Sequence, residues 1–391
     1  MHRTSIWIGF ALLCVVPTEL HAQTSESPFL IEVQRSFANW DRDKNGELSR
    51  EELEQAIVNP KIVGDEAAAI ATLFSAVRST KTPDLPKLTL DNIVALVPRP
   101  KDGRKLPDFQ AMYKGNLSRV KGNPRGFFTE KEVNLDDIHQ GALGDCWCMA
   151  IVGWVAYHKP ATVKEMFYIE ANDHVLVKFP SGQSEKIATL SDGEIAVMSR
   201  TGNEGTWSDY IEKAVGARRM VIETEKANAT AKADMKPNAK TKTPDKYALT
   251  SVAHGGSMVL PIELFTGNKA VRFSTKLASP EKSEELLTEL RTRLATAEKS
   301  HQIMGASVHR PADALVPGLT NDHAYACLKY DADADEVTLW NPHGNTFKPA
   351  GPSGIENGYP TKKGIFKVPV AQAVKIFAAF VFETDVRIAT K

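Results

Sequence analysis

The sequence predicts a protein of the α+β class. Residues 24–97 carry apolar side chains mostly at helical spacing, whereas residues 125–391 mix helical patterns with short runs rich in β-branched and aromatic residues, among them VLVKFP, VTLW and FAAFVFE. The charged, proline-rich stretch VPRPKDGRKLP lies between them, and we interpret residues 98–124 as a linker. We therefore expect a small all-α domain followed by a larger domain of helices and sheet.

The composition gives no reason to expect a charge-driven partner. The 391 residues carry 48 Lys and Arg against 48 Asp and Glu, so the formal net charge is zero. Binding to nucleic acid or to an acidic membrane surface usually depends on a basic balance, so neither is expected. Beyond the N-terminus, no stretch is apolar for the ~20 residues that a membrane span needs. The oligomeric state is not predicted by any feature of the sequence.

Residues 1–22 have the three-part pattern of a secretory signal peptide. MHRTS carries positive charge, IWIGFALLCVVP is apolar, and Ala22 is a small residue at a plausible cleavage point. A buried N-terminal helix is the alternative interpretation. We expect an exported protein, secreted or periplasmic. Removal of Cys14 with the signal leaves three cysteines, an odd number that does not suggest a disulfide framework.

Residues 41–52, DRDKNGELSREE, have the spacing of an EF-hand loop. Gly46 stands at the sixth position, where such a loop turns sharply, and apolar residues at helical spacing flank the loop. The spacing predicts a calcium (Ca2+) site, because oxygen ligands recur at the required positions. A solvated acidic turn and a dockerin-type repeat are the alternatives. The predicted metal ligands are Asp41, Asp43, Asn45, Glu47, Ser49 and Glu52.

A second, degenerate hand is predicted within residues 65–97. Its loop, residues 81–92, has Lys81 at the first position, Pro83 at the third and Asn92 at the last. These residues do not supply the carboxylates of a calcium site. We therefore expect residues 24–97 to form an EF-hand pair whose second loop binds no metal.

Cys146 is a candidate nucleophile within GALGDCWCMA. It opens the apolar run CWCMAIVGWVAY, which predicts a buried helix with Cys146 in its first turn. The N–H groups and dipole of a helix N-terminus stabilise a thiolate, so a lowered pKa is expected. N–H groups of Cys146 and Gln140 can stabilise an oxyanion. Cys148, about 200° further round the helix, is expected in the core; a buried core thiol is also the alternative interpretation of Cys146.

His323 and Asn341 are the candidate partners of this thiol. His323 stands at the head of one predicted strand, and the following strand, EVTLW, ends at Asn341. A hairpin of this shape brings both side chains together, so that the amide can orient the imidazole. An ordinary hairpin with a solvent-facing histidine is the alternative.

These segments resemble the calpain family of cysteine proteases. QGALGDCW resembles the QGxLGDCW segment of the family, GLTNDHAYAC its GHAY segment and LWNPHG its LRNPWG segment, in the same order. The resemblance implies a papain-like core with two lobes, a helical lobe at 125–245 and a β-rich lobe at 246–391. It also implies the roles of nucleophile for Cys146, acid/base for His323, orienting residue for Asn341 and oxyanion donor for Gln140.

The chain also departs from the family. His343 replaces the Trp of NPWG that covers the His–Asn pair, and the EF-hand precedes the core instead of following it. Acids that match calcium ligands of the first lobe of the family are Asp137 and Glu204.

The expected function is therefore calcium-dependent cleavage of protein or peptide substrates through a thioester. Two alternatives stay open. One is a catalytically inactive calcium-binding adhesion or scaffold protein, and the other is a transglutaminase-like acyltransferase.

Overall fold

The structure is a computed structural model that describes residues 27–79, 81–129, 132–170, 174–202, 205–232, 245–275, 283–309 and 315–388. The predicted signal peptide at 1–22 lies outside the described residues, and so does Glu204. Within the described ranges, no helix is both long enough and apolar enough to cross a membrane.

The described elements mix helices and strands, which confirms the α+β class. The first region contains α1 (Pro28–Trp40), α2 (Arg50–Ile57), α3 (Gly64–Arg78), α4 (Leu90–Ala95) and α5 (Phe109–Gly122). The second contains α6 (Cys146–His158), α7 (Pro160–Glu165), β1 (Phe167–Glu170), β2 (His174–Lys178), β3 (Ser184–Ala188), α8 (Asp192–Val197), α9 (Trp207–Lys232), α10 (Ala248–Val252) and α11 (Val259–Thr266). The third contains β4 (Asn268–Ser274), α12 (Ser283–Lys299), β5 (Met304–Val308), β6 (His323–Asp331), β7 (Glu336–Trp340), β8 (Ile365–Pro369), α13 (Val370–Ile376) and β9 (Ala379–Arg387).

The two loops of the N-terminal region lie side by side. Glu47 and Thr89 form an antiparallel bridge, and the N–H of Leu48 donates to the carbonyl of Leu88 at 2.9 Å. Ser49 caps α2 in a reciprocal capping box with Glu52. The loop at 41–52 is thus held on one side by a helix cap and on the other by the loop at 81–92.

The interpretation of residues 98–124 as a linker is wrong for 109–122. These residues form α5, which begins after the capping side chain of Asp108 and buries Phe109, Tyr113 and Val120. The ring of Phe109 stacks on Phe29 with centroids 5.3 Å apart. The charged stretch ends before α5. The apolar face of α5 packs against the N-terminal helices because this contact removes its aromatic side chains from water.

The N-terminal helices and the second region share one hydrophobic core. A continuous cluster of buried side chains runs from Phe29 to Phe265 and also includes residues of the large sheet. Two polar contacts cross the same boundary: the hydroxyl of Ser191 donates to the carbonyl of Ile57 at 2.6 Å, and the N–H of Gly64 donates to Asp192 at 2.8 Å. The predicted N-terminal domain therefore packs firmly against the region that carries Cys146.

The third region is built on a six-stranded antiparallel sheet with the order β4-β9-β5-β6-β7-β8. The second hydrophobic cluster of the described residues lies in this region, under α12 and α13. On the opposite side, α6 packs across β6, and the indole of Trp340 lies against Gly153. Because α6 crosses the sheet here, its first residue comes close to the start of β6.

Candidate active site

Cys146 is the first residue of α6, as the sequence predicts. Asp145 occupies the N-cap position without a capping hydrogen bond from its side chain. Cys146 is partly exposed, whereas Cys148 is fully buried, which confirms its expected inward orientation. The pattern predicts these positions correctly because the apolar residues from Trp147 to Ala156 are all buried and Cys146 stands at the start of this run.

The sulfur of Cys146 is surrounded by backbone N–H groups. Burial raises the pKa of this thiol, although hydrogen bonds from the N–H groups of Ala324, Trp147 and Cys146 itself act in the opposite direction. The pKa of Cys146 is therefore raised and not lowered as the sequence predicts. Desolvation outweighs the stabilising effect of the helix N-terminus here.

His323 and Asn341 meet at the end of the hairpin formed by β6 and β7. The strands pair in antiparallel register, with Ala326 opposite Trp340. The Nε2 atom of His323 and the Oδ1 atom of Asn341 are 2.8 Å apart, and both residues are buried. The predicted proximity is confirmed. Since Nε2 is held by the amide, Nδ1 is the ring nitrogen left for proton transfer, and Ala324, the next residue, already contacts the sulfur of Cys146.

His343 stacks on His323. The imidazole rings have centroids 4.6 Å apart and planes inclined by 12°. The N–H of His343 also donates to Oδ1 of Asn341 at 3.0 Å. The His–Asn pair is therefore covered by an aromatic ring even though the tryptophan expected from the resemblance is missing.

Burial shifts both Cys146 and His323 toward their neutral forms. Burial lowers the pKa of His323 to about 3, the neighbouring His343 lowers it further, and the bond to Asn341 only partly compensates. Desolvation favours the neutral form of each group because burial penalises charge.

Gln140 is close to Cys146 but does not present a free N–H group. Its Nε2 donates to the carbonyl of Leu143 and to Oδ1 of Asp145, both at 2.8 Å, and its backbone N–H donates to Pro342 at 2.8 Å. Because the carbonyl of Leu143 can only accept, the amide orientation is fixed. In this state Gln140 braces the loop before α6, which differs from the expected oxyanion role. To donate to a substrate, the amide has to release one of these bonds.

The loop at 41–52 brings three carboxylates together. Ligand oxygens of Asp41, Asp43 and Glu52 lie within 4.8 Å of one another, and in the described part of the chain no other cluster of at least three acidic, histidine or cysteine side chains does so. Backbone N–H groups of Asn45 and Gly46 hold the two oxygens of Asp41 at 3.1 and 2.8 Å. This geometry fits a hard cation, which prefers converging oxygen ligands.

The surroundings of Glu52 favour its ionised form. Burial opposes ionisation, but hydrogen bonds from Ser49, Arg42 and Asp43 outweigh it, so the pKa of Glu52 lies below its ordinary value. Asp137 is half-buried beside Gly202, and its predicted partner Glu204 lies outside the described residues. The second calcium site therefore stays a prediction.

A scan against protein-family models and a search of curated proteins found no match to this chain. The site is therefore interpreted from its own geometry.

The sequence interpretation missed one feature beside the nucleophile. Asp145 and Glu212, far apart in the chain, are both fully buried and meet behind the first turn of α6. The available signal was an acid placed directly before an apolar helix, and another within the apolar pattern of α9.

Proposed function

We propose that the protein is a calpain-like cysteine endopeptidase with a papain-like core and an N-terminal EF-hand pair. The observation that carries the proposal is the hydrogen bond between His323 and Asn341, together with the contact of Ala324, the residue after His323, with the sulfur of the helix-initiating Cys146. The thiol, the imidazole and the amide orienting that imidazole are the three groups that this chemistry needs.

The chemistry proceeds in two halves. The sulfur of Cys146 attacks the carbonyl carbon of a peptide bond after its proton passes to His323, and His323 then protonates the departing amine. The resulting thioester is hydrolysed by a water that loses a proton to His323, which restores the thiol and releases the carboxylic acid. The N–H of Cys146, which as the first helical residue has no intrahelical acceptor, is suited to stabilise the oxyanion.

Calcium is proposed to bind the first loop, not the loop at 81–92. Bound calcium would neutralise the converging carboxylates and hold α1 and α2 at a fixed angle. The proposed ligands are Asp41, Asp43, Asn45, Glu47, Ser49 and Glu52. Asp137 and Glu204 are proposed as part of a second site. We propose that the protein acts outside the cytoplasm, as a secreted or periplasmic protein, because residues 1–22 are predicted to be a signal peptide.

The proposal is tested with a fluorescently labelled, denatured protein substrate under titrated calcium. We expect Cys146→Ala to abolish hydrolysis and Cys148→Ala, its matched control in the same helix, to keep most of it. Absence of hydrolysis in the wild type, together with failure of a thiol-directed covalent probe to label Cys146, would favour the calcium-binding scaffold instead.

Gln140→Ala tests the oxyanion role separately. If the amide releases Asp145 or Leu143 to reach the substrate, kcat should fall by ~10²–10³ with a smaller change in KM. Near-normal kcat would restrict Gln140 to a bracing role.

A further inference from the structure

Two carboxyl groups lie buried directly behind the proposed nucleophile. Asp145 precedes Cys146 at the start of α6, and Glu212 projects from α9; both side chains have 0% exposure. Burying one carboxylate is costly unless it is hydrogen-bonded, and burying two together is much more so.

Each carboxyl group has one satisfied and one unsatisfied oxygen. Oδ1 of Asp145 accepts from Gln140 Nε2 at 2.8 Å, and Oε2 of Glu212 accepts from the N–H of Ser199 at 2.9 Å. The other two oxygens, Asp145 Oδ2 and Glu212 Oε1, receive no hydrogen bond from any N–H or hydroxyl in the described residues. Because the two carboxyl groups are in hydrogen-bonding contact with each other, a proton held by one of them is the donor that the geometry lacks.

Neighbouring charges do not replace this proton. Arg119, on α5, uses its guanidinium on the carbonyls of Met198 and Ser199. Arg78, on α3, donates to the carbonyl of Ala253, and its Nε and Nη1 atoms have no hydrogen-bond partner in the described residues, so neither arginine donates to the pair. The other titratable groups that face the pair are Asp209 on α9 and the thiols of Cys146 and Cys148 on α6, and none of them adds positive charge.

Electrostatics agrees with this arrangement. Burial raises the pKa of Asp145 well above its ordinary value, and the neighbouring Glu212 raises it further. Burial also raises the pKa of Glu212, although bonds from Asp145 and Ser199 act against it. Two buried carboxyl groups in contact release their protons in coupled steps that belong to the pair.

We propose that Asp145 and Glu212 share one proton, and that this pair is a positioning element that holds the Gln140 amide and the loop leading into Cys146. The proposal rests on the proposed function, because the loop positions the thiol for attack. Loss of the shared proton places two negative charges in one buried site and disturbs this loop.

Glu212→Gln and Glu212→Leu test the pair. The amide of Gln carries a permanent donor toward Asp145, so kcat and KM at neutral pH should stay near the wild-type values. The decline of kcat at alkaline pH, which in the wild type follows loss of the shared proton, should disappear. Leu offers neither a donor nor an acceptor, so kcat should fall by about 10²-fold with a smaller change in KM, as for a misplaced catalytic group.

Glu383→Gln is the matched control. Glu383 is a buried carboxylate on β9 that accepts from Asn268 and from the N–H of Ile303, in the other region of the protein. Glu383→Gln should leave the pH profile of kcat unchanged. The proposal is overturned if Glu212→Gln keeps the alkaline decline of the wild type, or if it is as impaired as Glu212→Leu.

A second measurement separates this proposal from the peptidase function. A group whose pKa is raised on folding contributes stability that is lost as pH rises toward the folded pKa. The unfolding temperature of the wild type should therefore fall with rising pH more steeply than that of Glu212→Gln. If this difference is seen in a protein that hydrolyses no peptide, the shared proton of Asp145 and Glu212 is supported and the peptidase function is contradicted. If the protein hydrolyses peptides but shows no such difference, the shared proton is contradicted and the peptidase function is supported.

Discussion

At the scale of single residues, His343 is the side chain whose role the geometry defines most sharply. It stacks on His323 and binds Asn341 through its backbone N–H. Since a stacked aromatic pair contributes about 0.5–1.5 kcal/mol, His343→Ala should lower kcat roughly 2- to 10-fold. His343→Trp restores a stacking ring and should recover most of the loss. Equal kcat for the Ala variant and the wild type would show that the stack is dispensable.

The protonation state of Cys146 gives a second prediction at this scale. Burial raises its pKa and lowers that of His323 to about 3, so both groups favour their neutral forms over a thiolate–imidazolium pair. The rate of alkylation by iodoacetamide should therefore climb steadily with pH through the neutral range. Cys146→Ala serves as the control, since Cys148 and Cys327 are buried. A rate that stays constant between about pH 5 and pH 8 would contradict the neutral pair, because a preformed thiolate reacts independently of pH there.

At the scale of elements, the contact between α6 and β7 sets how closely the helix approaches the sheet. A Cβ atom on Gly153 would clash with the indole of the buried Trp340. Overpacking of a core costs about 1–3 kcal/mol, which exceeds the gain of roughly 1 kcal/mol from replacing glycine by alanine in a helix. Gly153→Ala should therefore lower the free energy of unfolding, measured by chemical denaturation.

Gly115→Ala is the matched control for that substitution. Gly115 lies within α5 and is exposed, and a methyl group added to it would have no neighbouring atom within 4 Å. The same change should stabilise the protein here by about 0.4–1 kcal/mol. If Gly153→Ala also stabilises the protein, the packing of Trp340 against α6 is looser than the structure indicates.

The loop at 41–52 gives a second prediction at the element scale. The carboxylate of Glu52 closes the loop and completes the capping box in which Ser49 caps α2, so Glu52→Gln should remove the calcium-dependent rise in unfolding temperature. A ligand present at a hundred times its Kd stabilises the folded state by about 2.7 kcal/mol, which is readily measured. Asp91→Asn, in the second loop, is the control and should keep the full rise. Loss of calcium stabilisation in both variants would mean that the ion does not bind the first loop alone.

At the scale of the whole molecule, the N-terminal helices and the Cys146 region form one hydrophobic core. A shared core predicts that both unfold in one cooperative transition, and that calcium shifts this transition as a whole. Differential scanning calorimetry with and without calcium checks this expectation. Two transitions, of which only one responds to calcium, would show that the N-terminal unit is an independent domain.

Local chemistry made several features predictable from the sequence. The start of α6 at Cys146, the inward orientation of Cys148 and the hairpin joining His323 to Asn341 all follow from apolar periodicity and strand propensity within a few residues. The convergence of Asp41, Asp43 and Glu52 is equally local, because a twelve-residue loop brings them together. The resemblance then supplied roles for these residues, which no composition or spacing provides.

The sequence by itself thus determined the mixed helix and sheet class, the start of α6 at Cys146 and the local spacing of the candidate site. Only the tertiary structure decided that 109–122 pack as a helix, that His343 covers His323, and that Asp145 meets Glu212. It also decided the protonation of the thiol, which the helix N-terminus alone predicts wrongly. The physical reason is that burial depends on contacts between residues far apart in the chain, and at Cys146 the desolvation caused by burial outweighs the local effect of the helix N-terminus.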